Sequence, residues 1–269
     1  MKKFLLDPSQ AAGDKYSPVV ISPQSIARRA SSAQTLRAVS DLCAELRNDP
    51  YTNYVAEFYR RGLAAAGDDW FFMDIVSVLF AVSSMGQPEN YLEIGVRRGR
   101  SACAVAKASP GVDIFAFDMW QQNYASNENP GPELVRAELA RFGHRGAITF
   151  VEGDSHKTIP MFMAENPDLT FDLITVDGDH SIEGAIDDLN NVAPRLRVGG
   201  VLVFDDTGNP YCHGLTEVWK DFLTRHKDFS GYTFGELGTG LSFAIRLGTP
   251  RRDAQAHARR SPLFGNSWK

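Results

Sequence analysis

The chain has 269 residues, 43% apolar and 23% charged, with a mean hydropathy of −0.25 and a formal charge of −5. No run of 18 uncharged apolar residues is present, which excludes a membrane-spanning helix, and the acidic balance argues against a nucleic-acid partner, whose phosphates need a basic face. The last 21 residues hold five Lys/Arg and one Asp, so the preceding 248 carry −9, and where those carboxylates gather becomes the main question.

Residues 1–22 mix Pro, Ser and Gly with short apolar pieces and show no sustained period, as an irregular arm would. The opening Met1-Lys2-Lys3-Phe4-Leu5-Leu6 meets Asp7-Pro8 after three apolar residues, too soon for a secretion signal. Cys43, Cys103 and Cys212 are odd in number and widely spaced, which fits neither a disulfide framework nor a zinc knuckle, so a cytoplasmic location is expected. From Ser25 onward Ile26, Leu36, Val39, Leu42, Leu46, Tyr54, Val55, Phe58, Tyr59 and Leu63 recur at three- and four-residue steps, predicting two or three helices. Residues 70–85 are apolar nearly all round, as in a helix packed against a sheet. Residues 1–85 together read as an arm and a helical lid or oligomerisation segment, and a homo-oligomer is expected.

After Pro88 short apolar runs alternate with helical ones. Strands are predicted at 91–94, 112–117, 147–152, 171–176 and 200–204, and helices at 101–108, 132–142, 156–164, 182–196 and 215–226. Such alternation builds a parallel sheet covered on both faces. The runs 232–234 and 241–245 flank Gly235-Glu236-Leu237-Gly238-Thr239-Gly240 and predict an antiparallel hairpin closing the sheet edge. The α/β domain is thus expected over 86–248, followed by a flexible tail, 249–269.

Five motifs fall at strand ends, where open α/β sheets bind ligands. Glu93-Ile94-Gly95-Val96-Arg97-Arg98-Gly99 lacks the early glycine of a pyrophosphate loop, and its acidic residue suits a cofactor carrying positive charge and an amino acid moiety. Asp118, ending the second strand, can accept hydrogen bonds from both hydroxyls of a ribose. Gly153-Asp154-Ser155 can flank an adenine ring and meet its edge. Asp177 ends strand four in Val176-Asp177-Gly178-Asp179-His180-Ser181, and Asp205-Asp206 end strand five, so these three acids are expected to converge. Carboxylates held that close repel unless a hard divalent cation with oxygen ligands, Mg²⁺, lies among them.

Taken in order, E-I-G-V-R-R-G, A-F-D, E-G-D-S, D-L-I-T-V-D-G-D-H-S, G-G-V-L-V-F-D-D and G-T-G-L resemble a class I S-adenosylmethionine-dependent methyltransferase. Within that superfamily the chain is similar to small-molecule O-methyltransferases of antibiotic sugars and other secondary metabolites, over residues 91–245. The resemblance implies a Rossmann-like, doubly wound, mostly parallel sheet with a C-terminal antiparallel hairpin and an N-terminal helical extension. It implies that Glu93, Gly95, Gly99 and Ser101 line the methionine end of S-adenosylmethionine, that Asp118 holds the ribose, and that Gly153, Asp154 and Ser155 meet the adenine. It also implies that Asp177, Asp205 and Asp206 hold Mg²⁺, although catechol-type relatives have Asp-Asn where this chain has Asp-Asp.

Methyl transfer to oxygen needs two oriented reactants and removal of a hydroxyl proton. His180, on the loop of Asp177, is the first candidate base and His213 the second; His144, His156, His226 and His257 read as surface residues. Trp70, Trp120, Tyr124 and the Tyr51/Tyr54/Tyr59 group are candidate walls for a small-molecule acceptor. Alternatives left open are a metal-independent O- or N-methyltransferase using His180, a nucleotide-binding oxidoreductase, and a non-catalytic binding protein on the same fold.

Overall fold

A computed structural model of the chain describes residues 1–6, 17–47, 49–122 and 131–248. Tyr124, His257 and the expected tail, 249–269, lie outside these residues.

Seven strands, β1 (Asn90–Ile94), β2 (Asp113–Asp118), β3 (Ile148–Glu152), β4 (Phe171–Val176), β5 (Leu196–Asp205), β6 (Phe229–Phe234) and β7 (Leu241–Arg246), form one sheet in the order β3-β2-β1-β4-β5-β7-β6. The first five are parallel, and β7 inserts antiparallel between β5 and β6. The expected hairpin therefore exists, and its second strand is the one that joins the sheet.

Alternation along each strand sends side chains to two cores. Tyr91, Ile114, Ala116, Leu173, Val201 and Val203 face one; Leu92, Phe117, Ile174, Leu202 and Phe204 face the other. The first is covered by α1 (Pro23–Ala30), α2 (Ala33–Glu45), α3 (Pro50–Ala66), α4 (Ile75–Gly86), α5 (Arg100–Ala108) and α6 (Pro132–Arg141). The second is covered by α7 (Ser155–Glu165), α8 (Ile182–Val192) and α9 (Leu215–Arg225). The N-terminal helices thus share a core with the sheet. Val76, Val78, Leu79 and Val82 of α4 are fully buried, each contributing about 1.5–3 kcal/mol relative to exposure. The arm is anchored as well: Met1 and Phe4 are buried, and Leu5 forms a bridge with Val19.

Two element boundaries differ from the sequence pattern for local reasons. The helix expected from residue 70 starts at Ile75, because Asp74 accepts from the Ser77 amide at 2.9 Å while the Ser77 hydroxyl accepts from the Asp74 amide, a capping box. Trp70 and Phe72 precede it as an extended pair with rings stacked 5.0 Å apart. The helix expected to run to 196 stops at Val192: Pro194 lacks the amide needed to continue it and restricts the residue before it, and β5 begins at Leu196.

Candidate active site

The carboxyl ends of β1 to β5 open into one cavity of about 560 Å³. Gly95, Ser101, Asp118, Gly153, Asp154, Ser155, Asp177, His180, Asp205 and Asp206 all line it, so the sheet brings ten of the expected residues to a single space. Glu93 and Gly99 stand behind its wall. Glu93 has no exposed surface; its Oε1 accepts from the Ser101 hydroxyl and its Oε2 has no hydrogen-bond partner among the described residues. Burial is the main cause that pushes this carboxyl up to about 8.

The glycine after β1 is a steric necessity. Gly95 has φ +86°, and a Cβ there would lie 1.9 Å from the carbonyl oxygen of Asp177, so the loops after β1 and β4 touch backbone to backbone. Gly99 (φ +78°) takes the N-cap place of α5 with no side chain capping the helix, which leaves first-turn amides beside Ser101 free for an anionic or polar ligand group. Of the four non-glycine residues with positive φ among the described residues, Arg97, Trp120 and Asp206 sit in these strand-end loops, and strain of this kind gathers at functional sites.

Asp118 already serves the protein: its Oδ2 accepts from the Arg97 amide at 2.6 Å and its Oδ1 from the Trp120 amide at 2.5 Å. A carboxylate offers about four lone-pair directions, so two remain for a ribose. Asp154 caps α7, accepting from the His156 amide at 3.1 Å, and pairs with Lys157 at 2.9 Å, whose ammonium holds its carboxyl below the usual range.

At the other end of the cavity Asp177, Asp205 and Asp206 crowd together. Burial, then the neighbouring carboxylates, pushes Asp205 well above the ordinary range, and burial likewise raises Asp177. Such a set favours a cation, which supports the expected ion on chemical grounds. The tightest donor group differs from the expected trio, however: among the described residues, metal-capable atoms within 4.8 Å of one another come from His180, Asp206 and Cys212. Nε2 of His180 lies 3.4 Å from Asp177 Oδ1 and 3.3 Å from Asp206 Oδ2, and the hydrogen bond with Asp177 is the main cause that raises the imidazole above its usual pKa.

Several lining residues carry no motif. Asp49, Tyr51 and Thr52, at the start of α3, close the cavity over the β1 loop; Asp49 accepts from the amides of Tyr51 and Thr52, each at 3.0 Å, and pairs with Arg98 at 3.3 Å. The Asp49-Pro50 pair, an N-cap followed by a first-turn proline, was the readable signal of that helix start. Arg100 lies over the Tyr51 ring at 4.7 Å. His156, read from sequence as a surface residue, lines the cavity instead, because α7 starts at Ser155 after the Gly153-Asp154 turn and its first residues face the cavity. Asp179 lines it too, while its Oδ1 accepts from the Ser181 amide at 2.8 Å. His213 is exposed and outside the lining. Of the aromatic candidates among the described residues only Tyr51 lines the cavity: Tyr59 and Trp120 are buried packing residues, Trp70 packs on Phe58, Tyr59 and Phe72, and Tyr54 is exposed.

Residues 92–207, from β1 to the turn after Asp206, match a family model described as a methyltransferase domain. Over that stretch the chain is similar to a methyltransferase domain. No curated protein matches it in sequence. Among solved structures, the O-methyltransferase NovP shares 18% identity at a TM-score of 0.54, over 80% of this chain and 97% of that one. TomG from Streptomyces achromogenes, an O-methyltransferase involved in tomaymycin synthesis solved with S-adenosylmethionine, shares 18% at 0.52, over 81% and 97%. CalS11, a TDP-rhamnose 3′-O-methyltransferase of calicheamicin biosynthesis, shares 20% at 0.51, over 86% and 97%. At these identities the likeness is one of fold.

Proposed function

We propose that this methyltransferase domain transfers the methyl group of S-adenosylmethionine to a hydroxyl of a small-molecule metabolite, a sugar or other natural product, assisted by a divalent cation. The observation that carries the reading is the two-ended cavity: loops suited to an amino acid, a ribose and an adenine share one space with a crowded carboxylate end. A volume of about 560 Å³ falls in the range of small-molecule sites, which run to roughly 300–1,000 Å³.

When bound, the cofactor supplies a methyl group on a cationic sulfur. The chain's residues then have separable tasks. The first turn of α5 with Ser101 receives the methionine end, and buried Glu93 behind it, protonated at neutral pH, positions Ser101 by accepting from its hydroxyl. Asp118 keeps two lone-pair directions for ribose hydroxyls, and Gly153, Asp154 and Ser155 meet the adenine. Asp177, Asp205 and Asp206 would hold a divalent ion, whose charge would lower the pKa of a nearby hydroxyl. The His180–Asp177 pair removes the hydroxyl proton. The three cysteines of the chain are unpaired, Cys43 and Cys103 being buried, which supports a reducing, cytoplasmic setting. The TDP-rhamnose acceptor of CalS11 and the tomaymycin pathway of TomG support a natural-product hydroxyl as the acceptor class.

Calorimetric titration with S-adenosylhomocysteine and with NAD⁺ tests the cofactor. Heat with the former and none with the latter is expected; the reverse overturns methyl transfer in favour of a nicotinamide enzyme. Dialysis against a chelator tests the ion, and full turnover afterwards would leave the metal-independent route through His180.

A further inference from the structure

The loop after β5 is folded so that two residues six positions apart come to one point. The Asn209 amide donates to the Asp206 carbonyl at 3.1 Å and the Cys212 amide to the Asn209 carbonyl at 3.0 Å, two successive turns that bring Cys212 back over Asp206. Asp206 is held in the left-handed region at φ +58°, with Oδ1 accepting from Asn209 Nδ2 at 2.9 Å, which leaves Oδ2 turned to His180 at 3.3 Å. From the opposite loop His180 meets this point with both ring nitrogens engaged: Nδ1 is 3.4 Å from Cys212 Sγ, and Nε2 faces Asp177 Oδ1 at 3.4 Å. A carboxylate oxygen, an imidazole nitrogen and a thiol sulfur from two loops thus lie within 4.8 Å of one another beside the cavity.

This donor set does not suit magnesium, which takes oxygen ligands and keeps much of its water. Imidazole and thiolate suit borderline ions such as Zn²⁺, Co²⁺ and Fe²⁺. With the ion on Nδ1 beside Cys212 Sγ, Nε2 faces Asp177 Oδ1 at 3.4 Å as well as Asp206 Oδ2 at 3.3 Å, and a metal-ligating histidine typically gives its other ring N–H to a carboxylate that fixes its orientation. We propose that His180, Asp206 and Cys212 bind a borderline divalent transition ion, in preference to Mg²⁺, at the carboxylate end of the cavity. The proposal deepens the metal-assisted reading, on which it rests for the ion's role in methyl transfer. With the imidazole on the ion, Asp177 is the member of its pair left to take a proton.

The test uses the full chain stripped of metal by a chelator. Titration with Zn²⁺ and Mg²⁺ is expected to show Zn²⁺ favoured by about 100-fold or more. Co²⁺ serves as the spectroscopic probe: a thiolate-to-cobalt charge-transfer band and intensified visible bands of a four-coordinate ion are expected. Cys212→Ser, at a half-exposed loop position, should remove the charge-transfer band with the far-ultraviolet circular dichroism unchanged, and Asp177→Asn should weaken Zn²⁺ by about 10–100-fold while keeping the band. Mg²⁺ bound as tightly as Zn²⁺, no sulfur band with Co²⁺, or a band that survives Cys212→Ser would each overturn the proposal. Titration of the same preparation with S-adenosylhomocysteine separates the two readings: cofactor heat without a sulfur band defeats only the ion assignment, and a sulfur band without cofactor heat defeats only methyl transfer.

Discussion

The hydroxyl of Ser101 donates to Oε1 of Glu93 under the wall of the cavity, and Glu93 has no exposed surface. With its carboxyl pushed from 4.5 up to about 8, the folded chain holds a proton there at neutral pH that the unfolded chain has released. A folded pKa above the unfolded one gives stabilisation that is complete below the unfolded value and is lost as pH rises through the folded value.

Glu93→Gln retains an acceptor for Ser101 and removes this titration. Between about pH 5 and about pH 9 the wild type should lose more stability than the variant, by several kcal/mol and at most about 5, at about 1.4 kcal/mol per pH unit. Urea denaturation of both proteins at several pH values measures the difference, and parallel stability curves would reject it.

Gly95→Ala places a Cβ 1.9 Å from the Asp177 carbonyl oxygen at φ +86°. The left-handed backbone alone costs about 1–2 kcal/mol and the clash adds to it, so a loss above about 3 kcal/mol and failure to bind S-adenosylhomocysteine are expected. Gly111→Ala, with nothing within 4 Å of its Cβ, should change stability by no more than about 0.5 kcal/mol. Equal denaturation midpoints for the two variants would contradict this.

Asp49→Ala removes the cap of α3 and the partner of Arg98. The cap is worth about 1 kcal/mol, and its loss should fray the first turn that carries Tyr51 and Thr52 over the cavity. Faster amide exchange at Tyr51 and Thr52 with faster release of S-adenosylhomocysteine is expected; protected amides and an unchanged release rate would show that this turn does not gate the cavity.

Asp188 of α8 is fully buried 3.8 Å from Nε2 of His156, and burial pushes its carboxyl from 3.8 to about 6. Stability from this group is present below its unfolded value and lost as pH rises through about 6. Asp188→Asn should therefore gain on the wild type above that pH, by at most about 3 kcal/mol, and lose the advantage near pH 4. Thermal unfolding at about pH 4.5 and about pH 8 would show the crossover, and a variant less stable at both would disprove it.

The strand-end acids and glycines were legible because strand period and motif order fix them: parallel strands deliver Asp118, Asp177 and Asp205 to the same edge wherever the helices pack. Asp49, His156 and Cys212 were not. Their place depends on how α3 closes over the β1 loop, how α7 starts at Asp154, and how the Asp206 loop winds twice before α9, tertiary facts with no period or motif of their own. The buried Glu93 was named for its charge, yet its function in the fold comes from being neutral behind Ser101.

The insertion of β7 beside β5 reverses the direction in which the chain reaches the carboxyl edge. The turn before β7 arrives there from outside, Thr239 enters the cavity wall, and its carbonyl accepts from the Gly208 amide at 2.9 Å. Gly240 packs so closely that a Cβ would lie 2.3 Å from Gly208 N, so the two turns move as one fence. Changing the length of 235–239 would therefore reshape the cavity wall beside Asp205 and Asp206 while β1 to β5 stay in register.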